Sequence, residues 1–179
     1  GCWQFTVGQR RGLGLPDVPY YDKPEYQKIR DAYVAYISRM LELSGIPAAD
    51  AAAQAKDVLA FETRLAKVSK SREALSRDVG LYYNPISPAE ADKLSPNFPF
   101  TKLFESQGVA VPAMFSLSVP DYHAEVSKMM TDVPLPQWKS YLRFHLLDGV
   151  APYIADDFVQ AHFEFYGKTL GGQKELRER

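Results

Sequence analysis

The chain has 179 residues, of which 46% are hydrophobic and 24% charged, and its formal net charge is -1. This composition is typical of a globular segment long enough to bury one core, and its single cysteine, Cys2, excludes a fold held by internal disulfides. Interspersed acids and bases without a Lys or Arg run argue against a nucleic-acid surface. No apolar stretch approaches the roughly 18 residues of a membrane span. The first residues also lack the charge-then-apolar order of a targeting signal.

A short strand and a glycine turn are the first predicted elements. Trp3, Phe5 and Val7 alternate with polar residues, which is the periodicity of a strand. The following GLGLPD lacks both a third glycine before a helix and the Gly-Lys-Ser/Thr ending of a phosphate-binding loop. We therefore predict that Gly12 and Gly14 serve the backbone, through an unusual conformation or the close approach of a strand.

Two long helices are predicted next. Pro24 opens the first, whose apolar residues recur every three or four positions until Gly45. The alanine-rich stretch after Pro47 forms the second, because Ala has the highest helix propensity. We expect an antiparallel hairpin joined at Gly45-Ile46-Pro47. In the second helix, Glu62 lies among lysines and arginines at helical spacing, which indicates a solvent-exposed face.

The middle of the chain contains shorter elements. Ser87 and Glu90 form a capping box for a short helix that begins at Pro88. FTKLFESQG is predicted as another short helix, closed by Gly108. AMFSLSV is predicted as a brief strand that ends before Pro120. Its two faces carry Met114, Ser116 and Ser118 on one side and Phe115, Leu117 and Val119 on the other.

The last third of the chain is predicted to be helical. DYHAEVSKMMTD forms a short helix and PQWKSYLRFHLLDGVAPYI a longer one. Pro152 is expected to kink or end the longer helix. Asp156 or Asp157 is expected to cap a final helix over FVQAHFEFYGKTLGG.

These elements predict a mainly α-helical fold, a multi-helix array with one or two short β-strands. No internal repeat and no low-complexity linker divides the chain, which favours one domain or one piece of a domain. Along the chain we expect a strand and glycine turn in 1–22, a helical hairpin in 23–70, short helices and a strand in 71–120, and C-terminal helices in 121–179.

The three histidines do not form a metal-binding motif in the sequence. Two His-x-Glu pairs occur, His123 with Glu125 and His162 with Glu164. Residues two apart on a helix point in nearly opposite directions, and no H-E-x-x-H is present. His145 and Asp148 are three apart, where a hydrogen bond along one helix face or charge pairing at the helix C-terminus is favoured over a ligand pair. No nucleophile signature such as G-x-S-x-G occurs, so we assign neither catalytic nor metal-binding residues.

The tyrosines admit two interpretations. Tyr20, Tyr21, Tyr82 and Tyr83, together with FEFY near the C-terminus, could line a peptide groove, because a phenol combines ring area with a hydroxyl group. Aromatic stripes at helical spacing are more often part of a core, and that interpretation is favoured here.

Five motifs in order resemble the neprilysin family of zinc metallopeptidases, which includes the endothelin-converting enzymes and bacterial oligopeptidases. They are GLGLPDVPYY before a helix with an R-x-x-Y pattern, VLAFETRLAKVSKSRE, LYYNPISPAEADKL, the W-K-x-Y-L-R helix, and the FEFYGKTLGG stretch. The resemblance covers about residues 8–179. It assigns structural roles to the matching residues Gly12, Gly14, Pro16, Tyr20, Tyr21, Arg30, Tyr33, Glu62, Asn84, Trp138, Tyr141, Arg143 and Tyr166.

The resemblance implies a role as well as a fold. The family's zinc lobe supplies H-E-x-x-H and a downstream E-x-x-x-D, and this chain contains neither, so zinc is expected in the full-length parent and no cofactor in this chain. The chain resembles part of the larger helical N-terminal lobe that covers the active-site cavity and admits peptides rather than folded proteins. The implied partners are the catalytic lobe, the rest of the N-terminal lobe and oligopeptide substrates, whose binding residues stay unassigned. Relatives are mostly periplasmic, extracellular or membrane-anchored.

A second hypothesis is a free-standing helical module that binds peptides or proteins without catalysis. The charge pattern of KELRER, in the middle of a helix and without a stop signal, favours a chain that continues or an end made by proteolysis. We also expect an exposed apolar strip where the missing parts of the lobe would dock.

Overall fold

The computed structural model describes residues 6–7 and 12–176, and in these ranges the chain is mainly α-helical, which confirms the predicted fold class. The helices are α1 (Gln27–Leu43), α2 (Ala48–Val68), α3 (Arg72–Arg77), α4 (Pro88–Leu94), α5 (Phe100–Ser106), α6 (Pro120–Asp132), α7 (Leu135–Ile154) and α8 (Asp156–His162). The strands are β1 (Thr6–Val7), β2 (Pro85–Ile86) and β3 (Phe115–Leu117). Single 3₁₀ turns occupy Val18–Tyr21, Pro24–Tyr26 and Val79–Leu81, and a π-helical segment (Phe163–Leu170) continues α8.

Backbone contacts group the described residues into two compact units, each formed from two separate stretches of the chain. The sheet unit contains the described residues up to Leu13 together with Arg64–Val133. The helical unit contains Gly14–Thr63 and the described residues from Pro134 onward. Helix α2 therefore contributes to both units.

The sheet unit has a three-stranded sheet in the order β1-β3-β2. Strand β1 runs parallel to β3 and β2 runs antiparallel to it. Most of the predicted N-terminal strand lies outside the described residues. Strand β2 was not predicted, because its NPIS sequence is typical of a turn, but Pro85 is tolerated on an edge strand. Both faces of β3 are covered: Phe115, Ser116 and Leu117 are all buried.

The core of the sheet unit lies between β3 and the helices α4 and α5. It contains the buried side chains Ala91, Phe100, Phe104, Phe115 and Leu117. Contacts between aromatic rings hold α5 against the sheet: the ring centroids of Phe100 and Phe115, for example, lie 5.5 Å apart.

The caps that the sequence predicts for the short helices are present. The capping box of Ser87 and Glu90 begins α4, and Gly108 follows α5 with a φ of 66°. Helix α6 begins at Pro120 immediately after Val119, which has a φ of 48°. A β-branched residue in this left-handed region is strained, because its side chain crowds the backbone.

The helical unit is built around α1, which packs against α7, α8 and the π-helical segment. Its buried face carries Tyr33, Ile37, Met40 and Leu41, as the helical spacing predicts, and also Tyr36. Pro24 opens a 3₁₀ turn rather than α1 itself, which begins at Gln27. Gly45 after α1 has a φ of 95°, the left-handed conformation of a helix stop.

The C-terminal helices agree with the prediction in one respect and differ from it in another. Helix α7 ends at Ile154, as predicted, two residues after Pro152, which lies within it. Neither Asp156 nor Asp157 caps α8: Ala155 takes the cap position with an extended backbone, and both aspartates lie in the first turn. Their charges still favour this helix end, because the peptide dipoles make it positive. No described helix combines the length and apolarity needed to cross a membrane.

Candidate functional site: a buried carboxylate network

Glu62 is completely buried, so the solvent-exposed face predicted for it is wrong. Its cationic neighbours in the sequence, Arg64 and Lys67, lie roughly 200° and 140° around the helix axis from it, by the 100° that each helical residue turns. Arg64 forms ion pairs with Glu125 and Asp132 instead. A buried carboxylate is tolerated only when it is hydrogen-bonded, so its partners must come from other elements.

Four groups surround the Glu62 carboxylate within the helical unit. Its Oε2 atom lies 2.6 Å from the Tyr21 hydroxyl and 3.2 Å from the backbone nitrogen of Gly14. Its Oε1 atom lies 2.7 Å from Nε2 of His145. The Tyr33 hydroxyl lies 3.0 and 3.1 Å from the two oxygens. Since a carboxylate only accepts hydrogen bonds, all four groups donate, and His145 carries a hydrogen on Nε2.

A second carboxylate, that of Asp148, extends the network. It accepts hydrogen bonds from the hydroxyls of Tyr36 at 2.7 Å and Tyr166 at 3.2 Å. The Tyr166 hydroxyl also lies 3.2 Å from the carbonyl oxygen of Gly14, which connects the two carboxylates through the glycine turn. Burial raises the pKa of Asp148, whereas the hydrogen bond from Tyr36 and the nearby His162 lower it.

The phenols of the network have raised pKa values: Tyr21, Tyr33, Tyr36 and Tyr166. The main cause is burial, which disfavours phenolate, and the second is the negative charge of the carboxylate that each phenol faces. These hydroxyls therefore stay protonated near neutral pH. They are dependable hydrogen-bond donors and poor proton acceptors.

The glycine turn meets this network at its backbone. A Cβ atom on Gly14 would lie 1.9 Å from the Tyr33 hydroxyl oxygen, so the close approach is to a helix side chain and not to the expected strand. The predicted unusual conformation is present at Gly12, whose φ is 56°. Leu15 is buried and donates its N–H to the Tyr21 hydroxyl at 3.0 Å. The turn does face an anion, but the anion is the chain's own Glu62.

Arg30 organises the chain just before α1. Its guanidinium donates hydrogen bonds to the carbonyl oxygens of Tyr20 at 2.8 Å and Lys23 at 2.9 Å, and to the side chain of Gln27 at 2.8 Å. The Tyr20 ring stacks on Tyr26, with 4.1 Å between ring centroids. Arg30 therefore completes the carbonyl hydrogen bonds of the two 3₁₀ turns.

The remaining motif residues lie around the network or away from it. Trp138 and Tyr141 pack on Phe61, with centroid distances of 4.7 and 4.2 Å. Pro16 is partly buried in the glycine turn, and Arg143 is exposed on α7. In the sheet unit, the amide of Asn84 lies 3.4 Å from the carbonyl oxygen of Leu81, and its backbone N–H donates to Ser116.

Tyr36, His145 and Asp148 are network residues that the sequence did not identify as such. The sequence predicts for His145 and Asp148 either a hydrogen bond along one face of α7 or charge pairing at its C-terminal end. Each instead bonds to another helix, because Glu62 and Tyr36 bring better-placed partners. The helical spacing of His145 and Asp148 could have identified them. Residues three apart share a helix face, so two polar side chains at that spacing in an apolar helix indicate buried polar contacts on that face.

The hydrogen bonds of the network join α1, α2 and α7 to one another. Within residues 6–7 and 12–176, no three side chains of His, Cys, Asp or Glu are grouped as a metal ion would require. His123 donates from Nε2 to the Ser118 carbonyl oxygen at 3.1 Å, and burial lowers its pKa. Burial likewise lowers the pKa of His162. Glu62 is enclosed, and four groups donate hydrogen bonds to it.

Comparisons with known proteins agree on one family. The model of the N-terminal region of peptidase family M13 matches residues 4–179. The neutral endopeptidase of Lactobacillus helveticus is 26% identical over 162 residues, which is 90% of this chain and 25% of that protein. Endothelin-converting enzyme-like 1 of Mus musculus is 27% identical over 169 residues, 91% of this chain and 22% of that protein.

Solved structures show the same likeness. The zinc metalloprotease Zmp1 of Mycobacterium tuberculosis, in complex with an inhibitor, superposes with a TM-score of 0.84 at 30% identity, over 93% of this chain and 26% of that one. PepO from Lactobacillus rhamnosis shares the fold, with a TM-score of 0.78 at 24% identity over 93% of this chain and 26% of its own. The chain thus spans about a quarter of these relatives. The matches confirm the resemblance that the motifs indicate.

Proposed function

We propose, because this chain belongs to peptidase family M13, that it forms a non-catalytic helical lobe of a zinc-dependent metalloendopeptidase that cleaves oligopeptides. In this proposal the lobe covers the active-site cavity and limits the size of the substrates that enter. The observation that carries the proposal is the match of the family's N-terminal region to residues 4–179. The likeness to Zmp1, a zinc metalloprotease, supports a zinc-dependent parent protein.

The buried network supports a scaffolding role for the helical unit. It connects the glycine turn, α1, α2, α7 and the π-helical segment through hydrogen bonds to carboxylates. Hydrogen bonds to charged groups contribute about 1.5–3 kcal/mol each. A wall that limits substrate size has to keep its shape, and a network of this kind resists the relative sliding of the helices.

The first test uses the chain by itself. We expect the purified chain to cleave no quenched fluorescent oligopeptide, with or without added zinc, because the part of it that the structure describes offers no zinc ligand set. Turnover that a chelator abolishes would contradict the proposal.

The second test is the sequence of the reading frame that encodes the chain. We expect codons for H-E-x-x-H and a later E-x-x-x-D downstream of residue 179. A stop codon directly after that residue would contradict the lobe assignment and favour a free-standing binding module.

The third test concerns substrate size in the parent protein. Glu62→Gln loosens the scaffold without touching the zinc lobe, so we expect cleavage of larger substrates to rise relative to that of a short peptide. Lys67→Gln is the matched control, because Lys67 is exposed on the same helix. An unchanged size preference in a Glu62→Gln protein that keeps its zinc would contradict the role in limiting access.

A further inference from the structure

Helix α7 carries large apolar side chains on its outward side. Leu142, Leu146, Val150 and Ile154 follow one another at intervals of four residues, and 57%, 68%, 37% and 49% of their respective surfaces are exposed. The opposite side of the helix is also apolar: it carries Phe144 and Ala151, which are buried within the helical unit. A helix with apolar residues on opposite faces is typical of the interior of a larger protein. We call the row from Leu142 to Ile154 the outer ridge of α7.

A glycine beside the ridge gives independent evidence of a partner. Gly149 lies in the interior of α7, where glycine is unfavourable because it loses the most backbone entropy. A Cβ atom built on Gly149 would meet no atom within 4 Å, so the packing of the helical unit does not require a glycine there. The missing side chain leaves room for the backbone of another element to approach between Leu146 and Val150.

The charges on α7 define the chemistry of the partner. Lys139 and Arg143 are exposed near the N-terminal end of the ridge. The acid of this helix, Asp148, is turned inward to the hydroxyls of Tyr36 and Tyr166. The outer surface of α7 is therefore cationic towards its N-terminal end and apolar along the ridge, which favours a partner with an acidic end and an apolar face.

An open groove continues the ridge beyond the end of α7. It has a volume of about 650 Å³, and its walls include Ile154, Val159, Phe163 and Leu176. These residues belong to the same helical unit as α7. The groove can therefore take a large apolar side chain from the end of an element that lies along the ridge.

We propose that the outer ridge of α7 docks an amphipathic helix, acidic at the end that meets Lys139 and Arg143, supplied by the remainder of the parent polypeptide. This rests on the proposed function: the chain covers 25% and 22% of two relatives, so most of a relative's length is available to supply it. The ridge is about 18 Å long, which a helix of three to four turns covers. Side chains spaced four apart form the ridges that pack into the grooves of a neighbouring helix.

Thiol labelling tests the proposal without knowledge of the partner sequence. Leu146→Cys is introduced into a Cys2→Ser background, both in the isolated chain and in the parent protein. We expect maleimide to modify the introduced thiol about tenfold or more slowly in the parent, because the docked helix must open first. Equal rates in the two proteins would overturn the proposal. Slow labelling of the isolated chain that depends on its concentration would also overturn it, in favour of a second copy.

Substitution of Gly149 provides a second measurement that does not alter the ridge. In the isolated chain, Gly149→Ala and Gly149→Gln should leave the midpoint of urea unfolding unchanged or raise it. In the parent that carries Leu146→Cys, both Gly149→Ala and Gly149→Gln should speed the labelling of the introduced thiol, the glutamine variant by more, because any side chain at this position obstructs a close backbone. Labelling rates in both variants equal to that of the parent with Gly149 would overturn a partner at this position.

Peptidase activity of the parent, measured on the same samples, separates this inference from the proposed function. A parent that cleaves oligopeptides but exposes the introduced thiol to maleimide as fully as the isolated chain does refutes the docking helix and leaves the function intact. A parent that protects the introduced thiol without zinc-dependent cleavage refutes the function and leaves the docking helix intact.

Discussion

The carboxylate of Glu62 and the backbone of Gly14 depend on each other. The Gly14 N–H donates to Glu62, and the absence of a Gly14 side chain leaves room for the Tyr33 hydroxyl that also donates to Glu62. A glycine here is a requirement of packing and not of backbone conformation, because Gly14 is not among the residues with positive φ. One missing methyl group therefore determines whether a buried charge is fully hydrogen-bonded.

Gly14→Ala should destabilise the protein by about 1–3 kcal/mol, because the new methyl group displaces Tyr33 from Glu62. Urea unfolding followed by circular dichroism measures this loss. Gly149→Ala is the matched control: its Cβ meets no atom within 4 Å, so about 0.5–1 kcal/mol of stabilisation is expected from helix propensity. Equal effects of the two variants would refute the close approach as the reason for Gly14.

Replacement of Glu62 separates hydrogen bonding from charge. Glu62→Gln keeps an acceptor oxygen and should cost about 1–3 kcal/mol, whereas Glu62→Leu leaves its donors buried and unpaired and should cost about 3–5 kcal/mol. Urea unfolding at pH 7 ranks the two variants. A leucine variant as stable as the wild type would show that the network contributes no stability.

At the scale of elements, the sequence predicts the helix ends that depend on neighbouring residues better than those that depend on long-range packing. The capping box at Ser87 and the glycine stop after α5 follow from the local sequence, because each satisfies backbone groups within a few residues. The cap of α8 does not follow from the local sequence. Two aspartates are available as caps, but the extended residue at the cap position is Ala155, one residue before them. Where the chain leaves α7 is decided by how α7 and α8 pack on α1, which local propensity does not contain.

The junction between β3 and α6 should be sensitive to acid. Burial lowers the pKa of His123 below its usual value near 6.5, so the unfolded chain binds more protons there, and stability is lost as the pH falls through about 6.5. His123→Gln keeps a donor for the Ser118 carbonyl and should weaken the decrease in unfolding free energy between pH 7 and 5. His162→Gln should weaken it independently, since the pKa of His162 is also lowered by burial.

Urea unfolding at a series of pH values measures both effects. Identical pH profiles for wild type and His123→Gln would refute burial of a neutral imidazole at this junction.

At the scale of the whole molecule, two units are each assembled from separate stretches of the chain. The residues that meet at Glu62 come from both stretches of the helical unit, since Tyr33 and His145 lie on either side of the sheet unit in sequence. A contact of this kind forms only after a long loop has closed, so short-range patterns do not reveal it.

The buried phenols should make the molecule unfold in alkali. The pKa values of Tyr21, Tyr33, Tyr36, Tyr122 and Tyr166 are raised chiefly by burial, so the folded state holds protons that the unfolded chain releases above about pH 10. Stability should fall as the pH rises through that value.

Absorbance at the phenolate band, followed against pH, measures this. We expect fewer than the 11 tyrosines to ionise before a cooperative loss of helical circular dichroism. Ionisation of all tyrosines in one step with an ordinary pKa, in a chain that is still folded, would refute the buried network.

The sequence by itself determined the mainly helical fold, most helix starts and stops, and the family. Helical periodicity, capping residues and ordered motifs are all local, and each can be read within one or two turns of helix. Only the tertiary structure decided that Glu62 is buried, that His145 and Asp148 serve different helices, and that Gly14 makes room for Tyr33. The reason is physical: the cost of burying a charge is offset only by donors that folding brings from distant segments, and a single stretch of sequence contains no record of that meeting.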